Sequence, residues 1–322
     1  YIITFSLSGG SVRRQLSWVG LVWLSGVSLL SRADGLSIVS SIPPIHSIVQ
    51  SVVGDRGSAS LLLEGSSSPH HFALKPSHAR QLQGADALIL VDFGLESFLK
   101  KPVASLPNLQ VVELSGAPGL RLFESREVGV LNPESSNGHT HDHAHHDHET
   151  QDDLHLWLDP ENGIVMAAHL AEIFATLDPA GADLYQANFQ QFRKKMTMQI
   201  KRLKALLTPY GEKPYVVFHD AYQYFEKRFD LKAPGVLTLN PEMAASAKVV
   251  EELRVYIQQH NVRCAFREPQ FSSAILESLI EGLDVDIGIF DPLGASGVRG
   301  VALYPQIIEG MADAFEQCVS RD

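Results

Sequence analysis

The sequence predicts an α/β protein of two lobes, each built on a parallel sheet, joined by one long helix. Two observations carry this. Short β-rich runs alternate with helical periodicity in both halves of the 322-residue chain, the rhythm that parallel strand–helix–strand units produce. Between residues 183 and 207 that rhythm breaks. There Phe189, Phe192, Met196, Ile200, Leu203 and Leu207 recur at steps of three and four, with Lys and Arg between them. This is one amphipathic helix, closed by Pro209 and Gly211. A helix of that length between two α/β halves reads as a backbone connecting lobes.

In chain order, residues 1–33 come first. Arg13 and Arg14 precede an apolar stretch over residues 16–30, and Ser31-Arg32-Ala33 follows. A charged region, an apolar region and a small-residue site make a secretory signal, with cleavage expected after Ala33. The stretch is too short and too interrupted by Ser and Gly to span a membrane. Residues 1–12 carry no initiator Met and are expected to be a start-site artefact. No Cys stands at the cleavage point, so a soluble exported protein without a lipid anchor is expected. The lobes are then assigned to residues 34–180 and 211–322, with the connecting helix at 181–210. Just under 290 mature residues suffice for two ordinary cores.

Strands are expected at residues 36–42, 87–93 and 109–114 in the first lobe, and at 215–219, 236–239, 264–266 and 285–290 in the second. Helices are expected at 77–83, with Ser77 as N-cap, and at 221–229, 246–259 and 273–283. Removing residues 1–33 takes away three Arg and no acid, so the net charge passes from −11 to −14. That excludes nucleic acid and anionic lipid as natural partners. Cys264 and Cys318 are the only cysteines. In an oxidising compartment two lone cysteines most simply pair, whereas in the cytosol they would remain thiols.

Histidine is the chemical signal. Six of the fourteen histidines, His139, His141, His143, His145, His146 and His148, fall within ten positions. Neutral imidazole is the commonest protein ligand for zinc and its neighbours. A stretch so polar cannot bury itself, so residues 137–152 are expected to form a His-rich loop late in the first lobe. The dispersed histidines sit differently. His70 lies in Pro-His-His-Phe, His155 opens His-Leu-Trp-Leu-Asp-Pro, His219 ends the run Val216-Val217-Phe218, and Asp291 follows Phe290. His219 and Asp291 stand at the carboxyl ends of expected strands, where open α/β sheets place ligands. Taken singly, each has the alternative of an ordinary cap or hydrogen-bonding group. No local zinc spacing such as His-Glu-x-x-His is present, so any site must be assembled from distant segments.

Residues 69–77 (PHHFALKPS), 155–160 (HLWLDP), 217–229 (VFHDAYQYFEKRF), 240–243 (NPEM), 267–271 (REPQF) and 291–294 (DPLG) resemble the zinc-specific branch of the ABC-transporter metal receptors, the ZnuA type of cluster A-I. The resemblance runs in order through the mature chain. It implies two α/β lobes joined by a rigid helix, with the metal in the interlobe cleft. It further implies His70, His155 and His219 as imidazole ligands, with Asp291 in the place of a carboxylate ligand of related receptors. His71 takes a variable position, and Pro69 stands where some zinc members have Glu. Cys264 and Cys318 fall where that branch has a disulfide. The implied cargo is zinc, captured in the periplasm and delivered to a membrane permease, and manganese receptors of this fold tend toward two imidazoles and two carboxylates. The run 139–148 is then a weaker, multi-site loop that collects or senses zinc, or passes it to a periplasmic chaperone. Two other classes stand beside this one: a metal-buffering or adhesin protein on the same scaffold, and a zinc hydrolase with Asp220 or Asp291 as general base.

Overall fold

The computed structural model describes residues 35–64, 67–126, 129–130, 152–239, 241 and 245–321. The signal-like segment, the histidine run 139–148 and, apart from Pro241, the NPEM motif lie outside the described residues.

The first sheet holds β1 (Ser37–Ser40), β2 (Ser58–Leu61), β3 (Ala87–Leu90) and β4 (Gln110–Glu113) in the order β2-β1-β3-β4, all parallel. Its connections carry α1 (Pro43–Val53), α2 (Pro76–Gln83) and α3 (Lys100–Ala104). The second sheet holds β5 (Gly129–Val130), β6 (Val216–His219), β7 (Gly235–Thr238), β8 (Cys264–Arg267) and β9 (Asp286–Ile289) in the order β5-β7-β6-β8-β9. Four of these run parallel, and β5 pairs antiparallel with β7 at the edge. Between the sheets in sequence come α4 (Pro160–Leu177) and α5 (Ala182–Leu207); α6 (Gln223–Phe229), α7 (Ala247–Gln259), α8 (Ala274–Ile280) and α9 (Leu303–Val319) complete the second half.

The expected α/β architecture is present, and the departures from expectation have simple causes. Neither β2 nor β5 was expected. The first reads Ser-Ala-Ser-Leu, half exposed at a sheet edge, and small polar residues carry little strand signal. The second is two residues long and crosses from the stretch assigned to the first lobe into the second sheet. Ser77 does not cap α2: Lys75 takes the N-cap position, Pro76 is the first helical residue, and His78 Nδ1 accepts from Lys75 N at 3.1 Å. Proline at that position forfeits no intrahelical bond. Helix α6 begins two residues late because Asp220 N donates to Thr238 O, prolonging the strand pairing. Helix α8 ends at Ile280, ahead of Gly282 with φ +76°.

Strand alternation places the core. Along β3, Ala87 and Ile89 join a central apolar cluster while Leu88 and Leu90 join a smaller one on the opposite face. Along β6, Val217 faces the central cluster, and Val216 and Phe218 face an outer cluster with Leu253 and Leu276. This is the period-2 signature of a sheet covered on both faces. The central cluster continues from Ile38 and Ile45 through Phe189, Phe192 and Met196 of α5 to Phe266 and Phe315. At 26 residues, α5 is about 39 Å long and reaches both halves. Asn188 Nδ2 donates to Val52 O of α1, and Gln199 Nε2 donates to Pro305 O of α9. Cys264 and Cys318 form a disulfide that ties the start of β8 to α9.

Candidate metal centre

Each histidine of the dispersed set is held by local structure. His70 sits in a short 3-10 turn (Pro69–His71) whose backbone N–H donates to Ser68 Oγ at 3.2 Å. His155 leads into the turn Leu156–Leu158, whose three side chains are buried. Trp157 Nε1 of that turn donates to Pro292 O, and Asp159 caps α4 while accepting two bonds from Arg228. His219 is the last residue of β6 and is 2% exposed.

The three imidazoles converge, with one nitrogen from each lying within 4.8 Å of the others. Ring centroids are 5.6 Å apart for His70 and His155, 5.2 Å for His70 and His219, and 4.9 Å for His155 and His219. Behind two of the rings stand buried carboxylates. Asp153 Oδ1 lies 2.9 Å from His155 Nδ1, and Glu268 Oε1 lies 3.0 Å from His219 Nδ1. An ionised carboxylate only accepts, so Nδ1 carries the proton and the Nε2 lone pair is left for the centre. His219 Nε2 is buried and has no hydrogen-bond partner among the described residues, a costly arrangement unless a ligand satisfies it. The cavity the rings share with Trp157, Phe271 and Leu293 has a volume of about 10 Å³, room for one ion or one water.

Burial and hydrogen bonding move two of the rings in opposite directions. Burial, followed by the neighbouring His155 and His219, pushes His70 down to about 2. Burial also acts to lower His155, but its bond to Asp153 outweighs this and leaves it above the ordinary histidine value. For Asp153 burial pulls upward and the same bond wins downward.

Asp291 is placed differently from the three histidines. Its Oδ1 accepts from Ala295 N at 3.0 Å and Gln270 Nε2 at 3.3 Å, while Oδ2 accepts from Ser296 N at 3.1 Å and Ser296 Oγ at 2.9 Å. The carboxylate is thus turned onto the loop after β9, and among the described residues the metal-capable cluster consists of His70, His155 and His219. The run His139 to His148 lies outside the described residues. Sequence reasoning assigned no role to Asp153 or Glu268. The signals were present: Asp153 stands two positions before His155, and Glu268 lies within the REPQF motif.

Comparison with known proteins decides the family. The model of the periplasmic zinc-uptake complex component A, ZnuA, matches residues 38–318. The chain belongs to the ZnuA family. Two relatives named high-affinity zinc uptake system protein ZnuA span nearly the same length. That of Brucella suis is 35% identical, covering 94% of this chain and 96% of the relative. That of Yersinia pestis is 31% identical, covering 94% and 98%. Among solved structures, a ZnuA crystal structure superposes with TM-score 0.75 at 24% identity, over 89% of this chain and 100% of that one. The laminin-binding protein Lmb of Streptococcus agalactiae, described as a bifunctional adhesin and metal transporter, gives 0.73 at 21%, over 89% and 100%. At these identities the structural likeness speaks for the fold alone.

Proposed function

We propose that this protein is the periplasmic zinc receptor of an ABC importer: it binds one zinc ion as cargo between its lobes and hands it to a membrane permease. One observation carries the reading: three convergent imidazoles, two of them oriented by buried carboxylates, around a cavity the size of one ion. Three neutral nitrogen donors with an open fourth position suit tetrahedral Zn²⁺. His70 and His155 follow from residues 34–180 and His219 from residues 211–322, so an ion held by all three bridges the two halves. The fourth position falls to a water, or to Asp291 once it releases the loop after β9. Family membership supports the periplasmic setting, and in this reading residues 1–33 are cleaved on export and leave no lipid anchor. The histidine run 139–148 serves as a weaker collecting loop and as a landing point for a zinc chaperone, since such clusters lack the built surroundings of a tight site.

The test is metal content and binding stoichiometry of the purified protein, with and without residues 139–148. Both forms are expected to hold one tight zinc, and His219→Ala to lose it. Loss of the tight site on deleting the run, or its survival in His219→Ala, overturns the assignment.

A further inference from the structure

Three carboxylates near the imidazole cluster are engaged as described: Asp153 and Glu268 on imidazole Nδ1 atoms, Asp291 on its own loop. A chamber of about 300 Å³ beside the cluster is also lined by Asp152, which is exposed, and by Asp220. Asp220 follows His219 directly, is buried, and shares the wall of this chamber with His70, His155, Asp153 and Leu239. It thus brings a carboxylate to the chamber beside the three imidazoles, outside the cluster of His70, His155 and His219 themselves. What holds it is Arg126. The guanidinium takes both carboxylate oxygens, Nε donating to Oδ2 at 3.0 Å and Nη2 donating to Oδ1, while Nη1 donates to Glu226 Oε2 at 2.6 Å. The side chains are 15%, 3% and 2% exposed for Arg126, Asp220 and Glu226. The backbone brings Arg126 there: Phe123 N donates to Tyr224 Oη, and Gln223 Nε2 donates to Glu124 O.

We propose that Arg126 is a specificity-determining residue of the metal site: by occupying both oxygens of Asp220 it withholds that carboxylate from the ion and keeps the donor set rich in imidazole. The proposal rests on the zinc-receptor reading. Imidazole suits zinc, whereas carboxylate suits harder ions such as Mn²⁺ and Mg²⁺. A released Asp220 would add both a hard donor and a negative charge, lowering the discrimination against those ions. A planar, permanently charged fork is the side chain fitted to the task, because a lysine satisfies one oxygen and leaves the other.

The experiment separates this role from a merely structural ion pair. Full-length mature receptor is prepared as wild type, Arg126→Lys, the double variant Arg126→Met/Glu226→Gln, and the triple variant that adds Asp220→Asn. The double variant leaves no unpaired Glu226, and Arg126→Lys retains the buried charge should the double variant fail to fold. Mn²⁺ affinity is read by electron paramagnetic resonance of free Mn²⁺, and Zn²⁺ affinity by chelator competition. The double variant is expected to bind Mn²⁺ about tenfold or more tightly than wild type while zinc changes less, with Arg126→Lys between them. The triple variant is expected to return Mn²⁺ affinity to the wild-type value. Unchanged Mn²⁺ affinity in folded Arg126→Lys or double variant, or a gain that persists with Asp220→Asn, overturns the proposal. Absence of a tight zinc in wild type would instead overturn the receptor reading.

Discussion

At the residue scale the site is a set of imidazoles whose free nitrogens are chosen for them. Glu268 fixes His219 by taking Nδ1 at 3.0 Å, and so aims at the centre a buried Nε2 with no partner among the described residues. Such backing carboxylates raise ligand basicity and hold the ring, and losing one costs about 10–100-fold in metal affinity. Glu268→Ala is therefore expected to keep a stoichiometry of one zinc but to weaken it by about that factor, measured by chelator competition. His219→Ala, in contrast, removes a donor and the site with it. The two variants separate ligand from support. The three histidines were legible because each stands in a recognisable motif, two of them at element boundaries. Asp153, two positions before His155, was open to a local reading, whereas Glu268, though in a motif, and Arg126 gave no sign of their distant partners. Their roles arise from pairings of 94 positions for Arg126 with Asp220 and 49 for His219 with Glu268. Asp291 follows a strand as expected, and its oxygens accept from Ala295, Ser296 and Gln270, bonds that local sequence does not announce.

At the element scale, α5 was legible almost to the residue, since 3.6-fold periodicity over seven turns is the strongest pattern a sequence can carry. The edge strands β2 and β5 were not, being respectively polar and two residues long. The apolar face of α5 is also where stability concentrates. Phe192 is 5% exposed and packs against Tyr304 of α9, with ring centroids 6.0 Å apart. Truncating a buried Phe costs about 3–5 kcal/mol through lost transfer energy and the cavity left behind. Phe192→Ala is expected to lower the urea-unfolding free energy of the apo-protein by about that amount, leaving the zinc stoichiometry at one. Helix α1 carries a different liability. Burial first, and Arg299 second, lower His46 from 6.5 to about 4, and its Nδ1 is buried without a partner among the described residues. The unfolded chain binds a proton at His46 below pH about 6.5, and the folded one only near pH 4. Stability is therefore lost as pH falls through that window, by up to about 3 kcal/mol for this group. His46→Asn is expected to flatten the decline of apo-protein melting temperature between pH 6.5 and 4 relative to wild type. An unchanged slope would contradict the assignment.

At the scale of the molecule, the two sheets are not independent bodies, because one apolar cluster runs through both and α5 and α9 are packed into it. The three-histidine cluster and the disulfide lie toward opposite ends of the second sheet, at the end of β6 and the start of β8. β8 begins at Cys264, bonded to Cys318 of α9, and Glu268 follows directly on its last residue, Arg267. The cross-link thus anchors one end of the strand whose other end orients His219. A cross-link acts mainly on the unfolded chain by restricting its loop. With 54 positions between the cysteines, the chain-entropy relation gives about 4 kcal/mol. The double variant Cys264→Ser/Cys318→Ser is expected to unfold at lower urea with a loss of about 2–4 kcal/mol. Its zinc affinity is expected to match wild type, because the histidine–carboxylate pairs form at the far strand ends and are held there by their own hydrogen bonds. Urea titration and chelator competition on the same preparations provide both readings. If zinc affinity falls together with stability, the strand transmits strain from one end to the other, and the separation of anchor from site is wrong. If stability alone falls, the second sheet has two ends with separate tasks: one fastens the half to α9, and the other places the His219 imidazole in the three-histidine cluster.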